Sequence, residues 1–441
     1  MDAATRKSAP DENRLRETDR SVHDWYRFVL SFPPHLVRTY LERFAVDRSQ
    51  RVLDPFCGTG TTLVECKKLG IASLGVERNP MAHLATGGKL NWNVDPSELL
   101  DHASATAAVA NARLRADGIE DEPPLPLFAR NGKRVHESNL RNLPAQATTL
   151  LLKDSISPRP LHKVLVLLEV LEQNARPEFR DHERLALAHV IVYGASNLHF
   201  GPEVGVGPPR SDAAVVGPWL QEVREIAADL SELAGGAAVP ATVYRADARR
   251  LDEVIEPDSV DAVITSPPYP NEKDYTRTTR LESVILGLIN NKAELRALKQ
   301  EMVRSNTRSV YRLDNDDALV ADHPEIRRIA GEIEQRRIAL GKTSGFERMY
   351  ARVTRLYFGG MARHLSSLWR VLRPGARLAY VVGDQASYLQ VMIRTGEILA
   401  DLAQKLGYKV DGIDLFRTRL ATATRAALRE EVVVLRRPER R

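Results

Sequence analysis

The stretch Asp261–Tyr275 reads D-A-V-I-T-S-P-P-Y-P-N-E-K-D-Y, and it limits the possible folds more than any other. Asp261–Ile264 is a short apolar run of the kind buried in parallel sheets. Pro267 and Pro268 then stop it, because proline has no N–H for the ladder and holds φ at about −65°. A stiff turn at the C-terminal end of a strand lies where open α/β sheets bind their ligands. The carbonyls of Ser266 and Pro267 cannot all serve a regular ladder, so some face outward as fixed acceptors. Tyr269 adds a flat ring with a polar tip. Together they suit a planar group that carries an amino substituent: the carbonyls accept from the NH2 and the ring stacks on the plane. Taken alone, S-P-P-Y is equally a plain turn at a strand end, so the rest of the chain must decide.

A chain of 441 residues exceeds one compact domain and suits two or three modules. It contains no window of about 18 uncharged apolar residues, so no membrane span is expected. The first residues lack the apolar core of a signal peptide. Two cysteines, Cys57 and Cys66, are too few for a disulfide framework or a zinc site. The expectation is a cytoplasmic protein with no membrane association and no metal. A net charge of +5 permits a polyanionic partner without demanding one.

A second motif precedes the first by some way. Arg51-Val52-Leu53-Asp54-Pro55-Phe56-Cys57-Gly58-Thr59-Gly60-Thr61-Thr62 reads as a strand ending at Asp54, a glycine turn, and a helix from Thr61 to Leu69. Gly58 and Gly60 let backbone approach a ligand, and the helix start offers free N–H groups. Ile71–Val76 is the next strand. It ends on Glu77, an acid placed about 20 residues beyond the glycines to bind a ribose diol. The third glycine of a dinucleotide fingerprint is missing, and Asp54 would repel a pyrophosphate. An acid there suits a ligand with a cationic amino-acid part.

These residues resemble a known family. D-P-F-C-G-T-G-T-T with Glu77, followed by T-S-P-P-Y, looks like the S-adenosylmethionine-dependent amino-methyltransferases that act on exocyclic amines of DNA bases. The S-P-P-Y form most resembles the N4-cytosine branch, with N6-adenine left open. S-F-P-P-H-L-V at Ser31–Val37 is similar to the segment that such enzymes place ahead of the turn to enclose the cofactor. The resemblance implies an α/β fold: a Rossmann-like class I methyltransferase sheet, mostly parallel with a closing antiparallel hairpin, carrying helical insertions. It implies S-adenosyl-L-methionine as cofactor, held by Phe32, Pro33, Asp54, Phe56, Cys57, Gly58, Thr59, Gly60, Thr61, Thr62, Glu77, Arg78, Asn79, Asp247, Ala248 and Thr265. The catalytic set it implies is Ser266, Pro267, Pro268 and Tyr269, and the partner is double-stranded DNA. Cys57, lying in the cofactor turn, reads as structural and not as the nucleophile of a C5-cytosine enzyme.

Along the chain, residues 1–20 read as a flexible arm and 21–91 as the first part of the core. Residues 92–240 are too long for one crossover and read as a mostly helical insertion. Leu161–Asn174, Arg184–Leu198 and Trp219–Leu233 have helical periodicity, and His199–Arg210 reads as a loop without regular structure. The core resumes over 241–282, where Ala241–Ala248 is a strand with Asp247 at its end, either a cofactor ligand or an ordinary surface acid. Residues 283–345 form an arginine-rich insertion, and 346–441 complete the core with a helix, a turn at Arg373-Pro374-Gly375 and three more strands. Arg304, Arg308 and Arg312, spaced by four, would share one face if helical, and with Tyr275, Arg277 and Arg280 they are the candidate DNA contacts. A solvated helix face is the plainer alternative. Two other functions stay open: an RNA methyltransferase, and a non-catalytic nucleic-acid-binding protein on the same scaffold. Nothing resembles a nuclease, so any restriction or defence partner would be a separate protein.

Overall fold

The computed structural model describes residues 15–27, 31–122, 140–201, 203–271, 273–420 and 427–439. Seven strands form one sheet in the order β5-β2-β1-β6-β7-β9-β8. They are β1 (Arg51–Asp54), β2 (Ala72–Val76), β5 (Ala241–Tyr244), β6 (Val260–Thr265), β7 (Leu372–Gly383), β8 (Lys409–Leu420) and β9 (Ala427–Arg436). The first five run parallel, and β9 pairs antiparallel with both β7 and β8. The sheet is mostly parallel with a closing antiparallel hairpin, as expected for the α/β fold. Chain order reverses between β1 and β6, so the crevice for a ligand opens above their C-terminal ends.

Alternation along the strands explains the layers. Val52, Ala262, Ile264, Ala379 and Val381 face one cluster with helix α1 (Pro34–Arg43). Leu53, Val263, Leu378, Tyr380 and Val382 face the other. That second layer is built by α8 (Pro324–Ala339), α9 (Tyr350–Val371) and α10 (Thr395–Lys405). Helix α1 starts at Pro34, and α3 (Pro80–Leu90) starts at Pro80 behind an Asn79 cap whose side chain accepts from the N–H of Met81 at 3.0 Å. Proline at the first helical position has no N–H to leave unpaired, and an asparagine cap meets one of the orphan donors.

The first insertion supplies α4 (Pro96–Ala116), α5 (Pro158–Gln173), α6 (Arg180–His189) and α7 (Val216–Leu233). These share one core with α2 (Thr61–Lys68) and α3, including Leu63, Val64, Met81 and Ala85. Among the described residues no helix is long and apolar enough to cross a membrane.

Four sequence expectations are corrected. The first 14 residues of the expected arm lie outside the described residues, but Asp19 is buried and takes a two-pronged bond from Arg38 at 2.9 and 3.0 Å, so the arm stops before it. Within the expected loop 199–210, β3 (Leu198–Phe200) and β4 (Val204–Val206) pair as an antiparallel hairpin. Arg373-Pro374-Gly375 is a bulge inside β7 and not a turn before it: β6 pairs Val260 with Leu372 and Ala262 with Arg377. Gly375 takes φ +82° there, a conformation that favours glycine. Finally, residues 301–314 contain no α-helix, only the single turn Thr307–Ser309, so Arg304, Arg308 and Arg312 do not share a helical face.

Candidate active site

The turn after β1 is closed by its own backbone. Cys57 N–H donates to the Val76 carbonyl at 3.2 Å and Gly60 N–H to the Cys57 carbonyl at 2.8 Å. Gly58 and Gly60 both lie at positive φ, +54° and +86°. They serve different ends. A Cβ on Gly58 would meet nothing within 4 Å, so its bare face looks onto open space. A Cβ on Gly60 would stand 3.0 Å from the Thr86 methyl, so that glycine lets α2 approach α3.

Two acids end adjacent strands beneath and beside this turn. Asp54 is wholly buried and does not reach the cavity. Its carboxylate accepts from the Thr62 hydroxyl at 2.7 Å, the Thr265 hydroxyl at 2.6 Å and the Phe56 N–H at 3.1 Å. That knot ties β1, α2 and β6 together, and burial pushes the Asp54 pKa up to about 6. Glu77 instead lines the cavity. It accepts from Gly58 N–H at 2.9 Å and Asn79 N–H at 2.7 Å, while burial pushes its pKa up to about 7.

The cavity measures about 540 Å³ and opens at the C-terminal edge of the sheet. Of the residues singled out from sequence, Phe32, Phe56, Cys57, Gly58, Thr59, Thr61, Glu77, Arg78, Asn79, Asp247, Ala248, Ser266, Pro267, Pro268, Tyr269 and Tyr275 line it. Pro33, Asp54, Gly60, Thr62 and Thr265 do not. The Ser266 hydroxyl donates to the Val381 carbonyl at 3.1 Å and sits 3.5 Å from the Tyr269 hydroxyl. Tyr275 accepts the Tyr269 N–H through its phenol oxygen at 3.1 Å, so it braces the S-P-P-Y turn. Burial pushes its pKa up to about 12. The Cys57 thiol is buried and its pKa is raised by that burial, which leaves it protonated and unreactive.

The other candidate DNA contacts behave differently. Arg304 is 3% exposed, pairs with Asp314 at 2.7 and 2.8 Å, and donates to the Lys299 carbonyl at 2.7 Å. It is a structural arginine and cannot face a duplex. Arg280 folds back on the Thr276 hydroxyl at 2.6 Å, and Arg277 is half-buried. Arg308 and Arg312 are exposed, with the Arg308 guanidinium 5.8 Å from the centre of the Phe346 ring.

Sequence reasoning missed His364. It lies mid-helix in α9, fully buried, with Nδ1 2.7 Å from the Ala248 carbonyl and Nε2 2.6 Å from the Tyr380 hydroxyl. Its ring meets Phe56 edge-on at 4.8 Å. Burial lowers its pKa to about 4, so it is neutral; a carbonyl only accepts, so Nδ1 carries the proton. It holds two cavity residues in place, and no local pattern announces it. Lys273, Gln385, Arg417, Arg419 and Glu430 also line the cavity. They come from loops and the closing hairpin, where spacing carries no signal.

The family model described as "DNA methylase", of the N6/N4 type, matches residues 7–86. Type II methyltransferase M.BsoBI of Geobacillus stearothermophilus is 24% identical over 483 residues, covering 95% of this chain and 86% of that one. Type II methyltransferase M.AvaI of a Nostoc species is 29% identical over 445 residues, covering 94% and 86%. Among solved structures, the rRNA methyltransferase aviRa of Streptomyces viridochromogenes aligns over 94% of this chain and 89% of its own at 11% identity. Its TM-score of 0.29 is too low to bear on the fold or the substrate.

Proposed function

We propose, from the match to the DNA methylase family model over residues 7–86 and the likeness to Type II methyltransferases, that this chain methylates N4 of cytosine in double-stranded DNA. The observation that carries the reading is a single cavity lined by both Glu77 with the Gly58 turn and the Ser266–Tyr269 turn. A donor site and an acceptor site therefore share one space.

The residues present fit S-adenosyl-L-methionine. Gly58 offers a face with no side chain in the way, and the Glu77 carboxylate stands ready for a ribose diol. Phe56 and Ala248 supply apolar surface, and Asp247 can accept from an adenine amino group. Bound there, the cofactor would supply an electrophilic methyl on a sulfonium. Its amino-acid end finds no direct contact with Asp54, whose role is to hold the turn.

The protein's own work is positioning. A cytosine amino nitrogen is a weak nucleophile because its lone pair is delocalised into the ring. The Pro267 carbonyl and the Ser266 oxygen accept its two N–H groups and orient the nitrogen. Ser266 spends its own proton on Val381, so its lone pairs are free to accept. The Tyr269 ring stacks on the base, which must first leave the duplex at a cost of a few kcal/mol. Rate then comes from orientation and fixed dipoles, with no covalent cysteine intermediate. The S-P-P-Y wording supports cytosine over adenine. The likeness to Type II methyltransferases supports a role in restriction–modification beside a separate nuclease.

Radiolabelled S-adenosylmethionine, duplex DNA and the full chain test this, with digestion to nucleosides. Label in N4-methylcytosine is expected. Label in N6-methyladenine moves the target base, and label on RNA alone overturns the DNA reading.

A further inference from the structure

Asp247 lines the cavity but is not free to turn within it. Its Oδ1 accepts from the Arg249 N–H at 2.9 Å and from Arg249 Nε at 3.0 Å, and its Oδ2 accepts from Arg249 Nη2 at 2.7 Å. The same guanidinium donates to the Gln300 carbonyl at 2.9 Å and through Nη1 to Asp316 at 2.7 Å. The other Asp316 oxygen accepts from Arg363 of α9 at 2.7 Å. Asp247, Arg249 and Asp316 are each about nine-tenths buried at the side chain, with 9, 11 and 8% exposed. The result is an alternating chain of charge, from the cavity rim to the flank of α9.

The anchor at α9 is built by glycine. A Cβ on Gly359 would lie 1.9 Å from the Asp316 carbonyl oxygen, so only glycine lets the Asp316 turn rest on that helix. A Cβ on Gly360 would lie 3.5 Å from Asp316 Oδ2. Both glycines sit mid-helix, where glycine is unfavourable relative to alanine. The close approach explains Gly359; a side chain at Gly360 would make ordinary contact with Asp316.

We infer that Arg249, braced by Asp316, is a positioning residue for methyl-donor binding, which fixes the Asp247 carboxylate for the adenine amino group of the cofactor. The inference rests on the reading of Asp247 as part of the cofactor site. A carboxylate has about four lone-pair sites. Arg249 fills three of them and reaches the fourth only weakly, through the long branch of a forked Nε bond to Oδ2 at 3.2 Å; that branch is the one a donor from the cavity would displace. Without the fork, Asp247 keeps only the Arg249 backbone N–H on Oδ1, Oδ2 loses its partner, and the amino group must order it on binding. A lysine keeps the charge but supplies no planar fork and cannot reach both acids.

The test measures binding and turnover of the full chain with Arg249→Lys, Asp316→Asn, Asp247→Ala and the Arg249→Lys/Asp247→Ala pair. Titration calorimetry uses S-adenosylhomocysteine and its inosine analogue, in which a carbonyl replaces the 6-amino group. Arg249→Lys is expected to weaken S-adenosylhomocysteine and raise KM for the methyl donor by about 10-fold, with kcat within about 2-fold. Asp316→Asn should do the same to a smaller degree. The inosine analogue should bind the parent and Arg249→Lys alike, because it has no amino group to present. The double variant should bind no worse than Asp247→Ala alone, since the two act as one unit. Unchanged donor affinity in Arg249→Lys, beside a clear loss in Asp247→Ala, overturns the inference. So does an equal loss for both ligands, which would mark general damage. If Asp247→Ala itself leaves donor affinity intact, the cofactor reading of that edge falls and the inference falls with it.

Discussion

The sheet edge above β1, β2 and β6 and the segment 301–314 both gather polar side chains, and they use them in opposite ways. At the sheet edge, backbone constraints hold groups apart. The glycine turn and Pro267-Pro268 keep Glu77, Ser266 and Tyr269 facing a shared space, with capacity left to bind something else. In segment 301–314 the chain folds back on itself, and its polar groups satisfy one another. Arg304 closes on Asp314 and on carbonyls within five residues of itself. A charged residue is thus available for function where its internal partners leave it capacity that faces an open space. Charge density alone says little.

The largest test of this contrast is on the open side. Tyr269→Ala should lower kcat/KM for duplex DNA by about 1,000-fold, through lost stacking and lost orientation, with donor affinity within about 2-fold of the parent. Steady-state transfer of labelled methyl, read beside calorimetry with S-adenosylhomocysteine, gives both numbers. Weakened donor binding of the same size would make Tyr269 a cofactor residue. On the closed side, Arg304→Ala should cost about 3 kcal/mol of stability, because it leaves a mostly buried Asp314 without its cation. Urea unfolding reads that loss. A normal unfolding midpoint with a weaker salt dependence of DNA binding would place Arg304 on the duplex and break the comparison.

How much could be read from sequence follows the same division. S-P-P-Y and D-P-F-C-G-T-G are local: proline and glycine fix φ whatever surrounds them, so strand, turn and helix start were all legible. Asp54 was placed at the right strand end, but the side chains around it were not legible. Its partners Thr62 and Thr265 stand 8 and 211 residues away, and only the fold brings the second one in. Arg304, Arg308 and Arg312 were read through helical spacing, which means nothing where there is no helix. His364 acts on Ala248 from 116 residues away, and Asp316 braces Arg249 from 67 residues away. No spacing rule reaches that far.

Glu77 sharpens the comparison at about 1.4 kcal/mol per pH unit. Its folded pKa of about 7 stands above the ordinary 4.5, so the folded chain keeps a proton that the unfolded chain releases. Stability from this group is therefore greatest below about pH 4.5 and falls as pH rises toward about 7. Donor binding should run the other way. Ribose hydroxyls donate, and an ionised carboxylate accepts better, so affinity should rise by up to about 10-fold per unit below pH 7 and level off above it. Glu77→Gln should flatten that profile. A profile that keeps its shape in Glu77→Gln would assign the titration to another group.

The smallest effect belongs to Arg308, and it decides whether segment 301–314 has any open face. Its guanidinium lies exposed over Phe346, in a stretch where exposed Arg312, Lys342 and Arg348 also stand. An exposed stacked arginine adds less than about 1 kcal/mol to folding, so Arg308→Ala should unfold at the parent's urea midpoint. If it meets a phosphate, its loss should weaken DNA binding a few-fold regardless of sequence and reduce the slope of log K against log salt by about 1. Arg304→Ala, four residues away, should leave that slope unchanged once the folded fraction is held equal. The pair therefore separates two arginines that look alike in sequence. Equal slopes in both variants and the parent would mean that the duplex runs over another face, with the hairpin of β3 and β4 as the next element to probe.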